Sequence, residues 1–353
     1  DGGWALAQWP QAEAAFVAMD PANGRVRALV GSFDFNRQPF NHVTQGWRQP
    51  GSSFKPLLYS AALEHGVMPS TVIDDAPFTA ANGWSPANSD GQFLGPLSLR
   101  EALAKSRNLV SVRVLQQVGL ADARAWVERF GLDAARQPAD LTLALGSGSV
   151  TPMQMAQAYG VFASGGYLVA PVVIERIADA SGKVVFEAPG AAPPAEAQRA
   201  IPERNAFVMA SLLNDVTRVG TAARAQAALQ RPDLYGKTGT TNDAVDAWFC
   251  GFQPGVVGVA WMGYSEPKSL GERESGGGLA LPIWIDAMAT MLKGVPPATL
   301  PVPAGLMREG EDWVFEETAI GGHITRIGAD GAVERSEPFR APPPAAQPAS
   351  APQ

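Results

Sequence analysis

The segments of this sequence that favour β-strands lie near its two ends, and a long region that favours helices separates them. Near the start, apolar residues flank the turn Pro21-Ala-Asn-Gly24, and a second hairpin pattern surrounds Gln253-Pro-Gly255. This arrangement predicts an antiparallel sheet that is assembled from distant parts of the chain. The predicted strands are 16–20, 25–30, 234–241, 246–252 and 256–264.

The middle of the sequence carries apolar residues at helical spacing. The expected fold class is therefore α/β (α+β), an antiparallel sheet flanked by helices, with an all-helical subdomain at about 56–225 inserted between the sheet halves. Functional sites commonly form in the cleft between two such lobes. The predicted helices are 53–64, 98–104, 109–118, 121–130, 152–163, 204–217 and 282–292.

The expected domain organisation centres on one large domain at 13–294, and we interpret 1–12 as the end of a preceding linker or subdomain. The sequence beyond this domain is Pro-rich and has short β-like pieces at 313–315 and 323–326, which predict a small β-like extension over 295–340. The Pro/Ala-rich tail at 341–353 has low complexity and is expected to be disordered.

Composition argues against several classes of function. The net charge of -7 argues against a nucleic-acid binder, which would carry basic patches. The sequence contains no run of about 18 apolar residues, so it predicts no membrane-spanning helix. Cys250 stands alone, and His42, His65 and His323 lack the spacing of zinc hydrolases, so no metal or other cofactor is expected. A serine enzyme built on this chain would need a base other than histidine.

The first candidate motif, Gln49-Pro-Gly-Ser-Ser-Phe-Lys55, places Ser52 and Lys55 three residues apart, on one face of a helix. The preceding Pro-Gly and the following apolar run put Ser52 at the helix N-terminus, where the helix dipole stabilises an alkoxide. An amine held beside the hydroxyl can take its proton if burial and nearby positive charge lower the pKa of the amine. Taken alone the motif is weak, because Ser is also a favoured helix cap.

The second candidate motif, Lys105-Ser-Arg-Asn108, lies between two predicted helices. A hydroxyl and an amide two residues apart in a loop can project into the same cleft. Ser106 could then relay a proton and Asn108 could hold a substrate amide. Both residue types also cap helices, so this motif alone is weaker than the first.

The third candidate motif, Gly236-Lys-Thr-Gly-Thr-Thr241, lies on a predicted strand. On a strand, Lys237 and Gly239 face one way while Thr238 and Thr240 face the other. A glycine on an edge strand would let a substrate backbone approach and pair with it. A nucleotide-binding P-loop is excluded because it needs a glycine five residues before Gly236, where this chain has an arginine.

Together the three motifs form, in order, the signature of penicillin-binding proteins and class A β-lactamases. The sequence resembles the transpeptidase domain of class A high-molecular-weight penicillin-binding proteins, in particular the penicillin-binding protein 1A type. The resemblance extends over nearly the whole chain up to about residue 294. Besides the three motifs, its marks are 18–31, 144–147, 151–154, 165–166, 218–221 and 246–249.

The resemblance implies a penicillin-recognising serine-transferase fold and D,D-transpeptidation of peptidoglycan stem peptides. Ser52 would attack the carbonyl between two D-alanines, and an amine of a neighbouring stem would then accept the acyl group. It further implies that Lys55 activates Ser52, that Ser106 carries a proton to the leaving amine and that Asn108 holds the substrate amide.

The resemblance assigns the third motif to substrate binding. Lys237 would supply positive charge, Thr238 and Thr240 would bind the terminal carboxylate, and Gly239 lies between them on the strand. The backbone N–H groups of Ser52 and Thr240 would form the oxyanion hole. β-Lactam antibiotics, which imitate the D-Ala-D-Ala end, would acylate Ser52.

The family normally carries a membrane anchor and a glycosyltransferase domain ahead of this region. We therefore expect a domain on the periplasmic side of the inner membrane that meets a membrane only through an N-terminal anchor absent from this sequence. Cell-wall synthesis proteins are the expected partners, and nucleic acids are not.

Three rival interpretations stay open. A serine β-lactamase would hydrolyse its acyl-enzyme, often through a Glu on an ExxLN loop, but the nearest match, Ala210-Ser-Leu-Leu-Asn214, begins with Ala and lies in a predicted helix. A β-lactam sensor or an inactive scaffold would bind without turnover. A D,D-carboxypeptidase would pass the acyl group to water.

Overall fold

The computed structural model describes residues 8–188 and 198–337. The predicted disordered tail at 341–353 and the first seven residues of the predicted 1–12 segment lie outside the described residues. In the described ranges, no helix has both the length and the apolar character that crossing a bilayer requires. The strands are β1 Glu13–Met19, β2 Val26–Val30, β3 Val67–Asp75, β4 Gly95–Ser98, β5 Tyr167–Leu168, β6 Arg176–Ala178, β7 Val184–Glu187, β8 Gln198–Arg199, β9 Tyr235–Thr240, β10 Asp246–Gln253, β11 Val256–Gly263, β12 Leu306–Glu309, β13 Asp312–Phe315, β14 Ile324–Ile327 and β15 Val333–Arg335.

The helices agree closely with the sequence pattern. The α5 helix has the predicted bounds, and its start is fixed by a capping box between Thr151 and Gln154, with Pro152 in the first turn. The other predicted helices differ from the prediction by one or two residues at most ends, which is the usual uncertainty of helix termini. Two short helices, Arg224–Leu229 and Glu316–Gly321, were not predicted. The helices are α1 Lys55–Glu64, α2 Leu99–Ala104, α3 Asn108–Val118, α4 Leu120–Glu128, α5 Pro152–Ala163, α6 Glu203–Arg218, α7 Arg224–Leu229, α8 Ala280–Met291 and α9 Glu316–Gly321.

A five-stranded antiparallel sheet of order β2-β1-β11-β10-β9 forms the centre of the fold. Its first two strands come from the start of the chain and the other three from residues 235–263, so the prediction of a sheet assembled from distant segments is confirmed. Helix α8 packs on one face, where the Trp284 ring meets the Phe249 ring edge-on. Helix α5 packs on the other face, where Gly160 lies over the Met19 side chain. The sheet therefore lies between two helices, and β9 is its edge strand, with five of its six residues buried.

The mixed fold class is confirmed, but the expectation that the inserted region is all-helical is wrong. Strand β3 pairs with β4 within this region, and β14 from the C-terminal part joins β3 in parallel, giving a second sheet of order β15-β14-β3-β4. The physical reason is visible in the sequence after α1. Gly66, two residues beyond the end of the helix, has a φ of +81°, and in the following segment Val67–Asp75 the β-branched residues alternate between buried and partly buried positions. The β-like pieces predicted near 313–315 and 323–326 are confirmed as strands β13 and β14.

Candidate active site

A sharp turn presents Ser52 at the start of α1. Residues Gly51–Phe54 form a single 3₁₀ turn, and the backbone N–H of Lys55 donates to the Ser52 carbonyl. Gly51 has a φ of +53°, and a Cβ there would lie 2.6 Å from the carbonyl oxygen of Thr240. Glycine is required at this position because the turn lies directly against the backbone of β9. This approach brings the partly exposed Ser52 beside the C-terminal end of that strand.

The expectation that β9 is an edge strand is confirmed, but its glycine has a structural reason that the sequence did not suggest. A Cβ at Gly239 would lie 2.4 Å from the Pro50 carbonyl oxygen and 2.9 Å from Ser53 Oγ. The missing side chain therefore makes room for the turn that carries Ser52, on the protein side of the strand. The backbone of Gly239 remains in the edge strand between Thr238 and Thr240.

Lys55 is fully buried, and its amine joins the first motif to the second. Its Nζ donates to the Ser106 carbonyl at 2.8 Å and to Asn108 Oδ1 at 2.7 Å, and lies 3.4 Å from Ser106 Oγ. Burial, followed by the positive charges of Lys237 and Arg107, holds the pKa of this amine well below its ordinary value. Among the described residues, Ser52 Oγ makes no hydrogen bond, so the amine contacts the second motif rather than the serine three residues before it.

Lys237 brings the third motif to the same hydroxyl. Its Nζ donates to Ser106 Oγ at 2.8 Å and to the Thr238 carbonyl at 3.0 Å. The side chain is fully buried, and burial lowers the pKa of its amine to about 7. Ser106 Oγ therefore lies between two buried amines that are 182 positions apart in sequence numbering (55 and 237).

A buried ionic network, which sequence reasoning missed, holds the second motif in place. Arg107 Nε donates to Asp75 Oδ2 at 2.8 Å, and Arg107 Nη1 donates to Asp90 at 2.7 Å. Asn88 joins this network by donating to Asp75 Oδ1, while its own Oδ1 accepts from the backbone N–H of Asn108. Because Asp75 and Asn88 belong to the β3–β4 region, only the tertiary fold shows that they position this loop. The φ of Ser106, +59°, is a left-handed value that costs a non-glycine residue energy, and the network offsets that cost.

The two threonines of β9 line the opening above these amines. Thr238 Oγ1 is 2.7 Å from Thr221 Oγ1, and Thr240 Oγ1 accepts a hydrogen bond from the backbone N–H of Gly276 at 3.0 Å. The cleft that they border has a volume of about 910 Å³. Its wall includes Ser52, Trp84, Ser106, Asn108, Thr142, Ser147, Thr221, Thr238, Thr240, Asn242 and Glu274.

The structure therefore brings the three motifs together at one cleft. Ser52, Ser106, Asn108, Thr238 and Thr240 line it, whereas Lys55, Lys237 and Gly239 are buried next to it. Lys55, Ser106, Asn108 and Lys237 are joined by hydrogen bonds, and Ser52 reaches the cleft through the turn against β9. No group of three or more His, Cys, Asp and Glu side chains within residues 8–188 and 198–337 is arranged to hold a metal ion. The Ala210–Asn214 stretch lies within α6, as the sequence predicted.

Fold and cleft together define a domain of the penicillin-recognising class, with its three motifs on a helix start, an interhelical loop and an edge strand. The family model for the penicillin binding protein transpeptidase domain matches residues 14–288, and the chain belongs to this family. The resemblance drawn from the motifs is thereby confirmed.

The similar curated proteins belong to one branch of this family, the penicillin-binding proteins 1A. The chain is 44% identical over 325 residues to penicillin-binding protein 1A of Neisseria lactamica, a match that covers 90% of this chain and 41% of that protein. The chain thus spans about two fifths of the length of the curated relatives it matches first.

Solved structures agree with these relatives. The crystal structure of penicillin-binding protein 1A from Haemophilus influenzae matches with a TM-score of 0.83 and 33% identity, covering 96% of this chain and 55% of that one. The PonA1 protein of Mycobacterium tuberculosis in complex with penicillin V matches with a TM-score of 0.71 and 28% identity, covering 83% of this chain and 81% of that one.

Proposed function

We propose that this domain is a serine D,D-transpeptidase that cross-links peptidoglycan stem peptides. Ser52 attacks the carbonyl carbon between two terminal D-alanines, the C–N bond breaks, and the last D-alanine leaves as an amine. The acyl group, now an ester of Ser52, then passes to an amine of a neighbouring stem. The single observation that carries this proposal is the position of Ser106 Oγ, 2.8 Å from one buried amine and 3.4 Å from another.

The protonation state of Lys55 supports its role as the base. A neutral lysine amine keeps two N–H donors and one lone pair. Two carbonyl oxygens, of the Ser106 backbone and of the Asn108 side chain, already accept from this amine at 2.8 and 2.7 Å. Once the amine is neutral, its lone pair remains to receive the Ser52 proton as the ester bond forms.

Ser106 is placed to return that proton to the leaving amine. Its Oγ lies within reach of both lysines, so the proton taken by Lys55 can move to Ser106 while the Ser106 proton goes to the nitrogen of the departing D-alanine. The low pKa of Lys237 keeps a second proton exchanger in contact with the same hydroxyl. The same relay, run in reverse, serves the acceptor amine in the second half of the reaction.

Substrate binding follows from the edge strand and the two threonines. A stem peptide can pair antiparallel with β9 at Gly239, with its terminal carboxylate at Thr238 and Thr240. The Asn108 amide uses one N–H on the Ala87 carbonyl, which leaves the other for the substrate amide. Backbone N–H groups of Ser52 and Thr240 would stabilise the oxyanion, each contributing about 3 kcal/mol.

The relatives suggest the wider setting of this domain. By analogy with penicillin-binding protein 1A, we propose that residues 13–294 form the transpeptidase part of a bifunctional enzyme that also carries a glycosyltransferase. The domain would face the periplasm and meet other cell-wall synthesis proteins there. The penicillin V complex of the related PonA1 protein supports acylation and inhibition of this domain by β-lactams.

Intact-mass spectrometry with a labelled penicillin tests the proposal. One adduct is expected on the wild type and none on Ser52→Ala. Steady nitrocefin turnover after the first equivalent would indicate a β-lactamase instead. An adduct without any cross-linking of glycan derived from lipid II would indicate a sensor or scaffold, and D-alanine release to water alone would indicate a carboxypeptidase.

A further inference from the structure

The loop that follows β11 crosses the edge strand beside the proposed carboxylate site. The backbone N–H of Gly276 donates to Thr240 Oγ1 at 3.0 Å, and a Cβ on Gly276 would lie 2.3 Å from the Gly239 carbonyl oxygen. A Cβ on Gly277 would lie 3.2 Å from the Thr221 carbonyl oxygen and in ordinary contact, at 3.8 Å, with Thr238 Cγ2. The loop is therefore held against β9 at Gly239 and Thr240, because glycine at position 276 allows this approach.

Glu274 lies two residues before this contact and lines the cleft. It is partly buried, and within the part of the chain that the structure describes its carboxylate has neither a hydrogen-bond donor nor an ion-pair partner. Two other charged side chains line the cleft. Lys105 is 3.8 Å from Glu101, and Asp243 lies in an exposed turn beyond the end of β9. Glu274 thus places an unpaired carboxylate in the lining of the cleft, on the loop that contacts Thr240.

This charge matters because of where the second substrate must enter. The second half of an acyl transfer is chemically the reverse of the first half, with a different amine. The incoming amine is therefore expected at the position that the leaving amine has vacated. In the proposed function the departing D-alanine holds its carboxylate at Thr238 and Thr240. A carboxylate on the neighbouring loop repels that product and attracts a cation in its place.

We propose that Glu274 is the recognition residue for the acceptor amine of the transfer step. This inference rests on the proposed function of the domain. The acceptor arrives as an ammonium ion beside the Glu274 carboxylate and loses one proton to solvent. Its lone pair then forms the new C–N bond as the ester C–O bond to Ser52 breaks, and the second nitrogen proton passes through Ser106 and Lys55 to Ser52 Oγ.

The experiment follows the fate of the acyl-enzyme formed from a D-Ala-D-Ala peptide donor, with glycinamide as the acceptor. Glycinamide carries an ammonium group and no carboxylate. In Glu274→Gln, the ratio of transfer to hydrolysis should fall about fivefold, with a higher KM for glycinamide, as expected for loss of one partly exposed charge interaction. The rate of penicillin acylation should not fall, because removing the Glu274 charge relieves its repulsion of the carboxylate that penicillin brings to the two threonines. The wild-type ratio should also fall towards that of the variant as salt is added.

Glu272→Gln is the matched control, because this residue is exposed on the same loop and lies outside the cleft lining. An unchanged partition ratio in Glu274→Gln would overturn the inference. Parallel losses of acylation and transfer would assign Glu274 a structural role and overturn it too, and an equal loss in Asp243→Asn would assign the effect to a general field. If the wild type shows neither D-alanine release nor penicillin acylation, the proposed function itself fails, a result separate from these.

Discussion

Replacing Lys237 by Met is expected to stabilise this fold while removing penicillin acylation. Burial lowers the pKa of the Lys237 amine from 10.5 to about 7, which corresponds to a cost of about 5 kcal/mol for the charged form. At pH 7.5 most of this remains as a cost of folding, about 4 kcal/mol, because the unfolded lysine is charged and must lose its proton. Two lost hydrogen bonds, each worth about 1 kcal/mol, offset part of the gain. The net increase in the free energy of unfolding should be about 2 kcal/mol.

The pH dependence of the free energy of unfolding tests this reasoning more specifically than its value at one pH. Between the folded and unfolded pKa values of Lys237 the unfolded chain binds more protons, so the free energy of unfolding rises with pH. From pH 7.5 to 9.5 the wild type should gain about 2 kcal/mol more than Lys237→Met. Lys55, whose pKa is also lowered, contributes in the same direction in both proteins, and losing the neighbouring charge of Lys237 reduces its contribution in the variant.

Urea denaturation at the two pH values, followed by tryptophan fluorescence, measures this difference. Lys293→Met is the control, because Lys293 is exposed just beyond α8 and its replacement should leave the pH dependence as in the wild type. Parallel pH profiles for the wild type and Lys237→Met would refute the reasoning. So would a variant that is less stable than the wild type at pH 7.5.

Three further substitutions test other parts of the site. Lys55→Ala should reduce the rate of penicillin acylation at least about 10²-fold, measured by stopped flow. In the wild type, the rate should rise with pH in a range below the pKa of an ordinary lysine, because the pKa of Lys55 is lowered. Gly239→Ala should cost about 1–3 kcal/mol in urea denaturation and slow acylation, since its Cβ would collide with a backbone carbonyl, whereas Gly160→Ala, with ordinary contacts at 3.5 Å, should not. Asp75→Asn should cost about 3 kcal/mol and slow acylation because it breaks a buried ion pair, whereas Asp90→Asn, which removes the half-exposed partner of the same arginine, should cost less than about 1 kcal/mol.

Features whose causes are local could be predicted from the sequence. The start of α5 follows from a capping box and a first-turn proline, all within four residues. The strands of the central sheet follow from apolar alternation and Gly/Pro turns. The convergence of the site was predictable only because the three motifs together identify a family, since no spacing rule relates Lys55 to Lys237.

Features that depend on pairing between distant segments could not be predicted in this way. The parallel pairing of β14 with β3 joins Ile324 to Val67, and neither segment contains a signal for the other. Asp75 lies in a region for which no strand was predicted, and only the fold shows that it anchors Arg107. The reason for Gly239 is similarly non-local, because the Pro50 carbonyl that would collide with a side chain lies 189 positions earlier in the numbering.

The three motifs contain no histidine to act as the base, and burial explains how lysine can take this role, because burial lowers the pKa of its amine. An exposed amine is almost fully charged near neutral pH and has no lone pair to offer, so it cannot remove a proton from serine. In this fold the same desolvation that destabilises the protein lowers the pKa of both amines, and the charge of Lys237 lowers that of Lys55 further. A substitution that removes this desolvation cost therefore also removes either the base, Lys55, or the neighbouring amine of Lys237. Stability lost at these two positions is inseparable from the reactivity that we propose for Ser52.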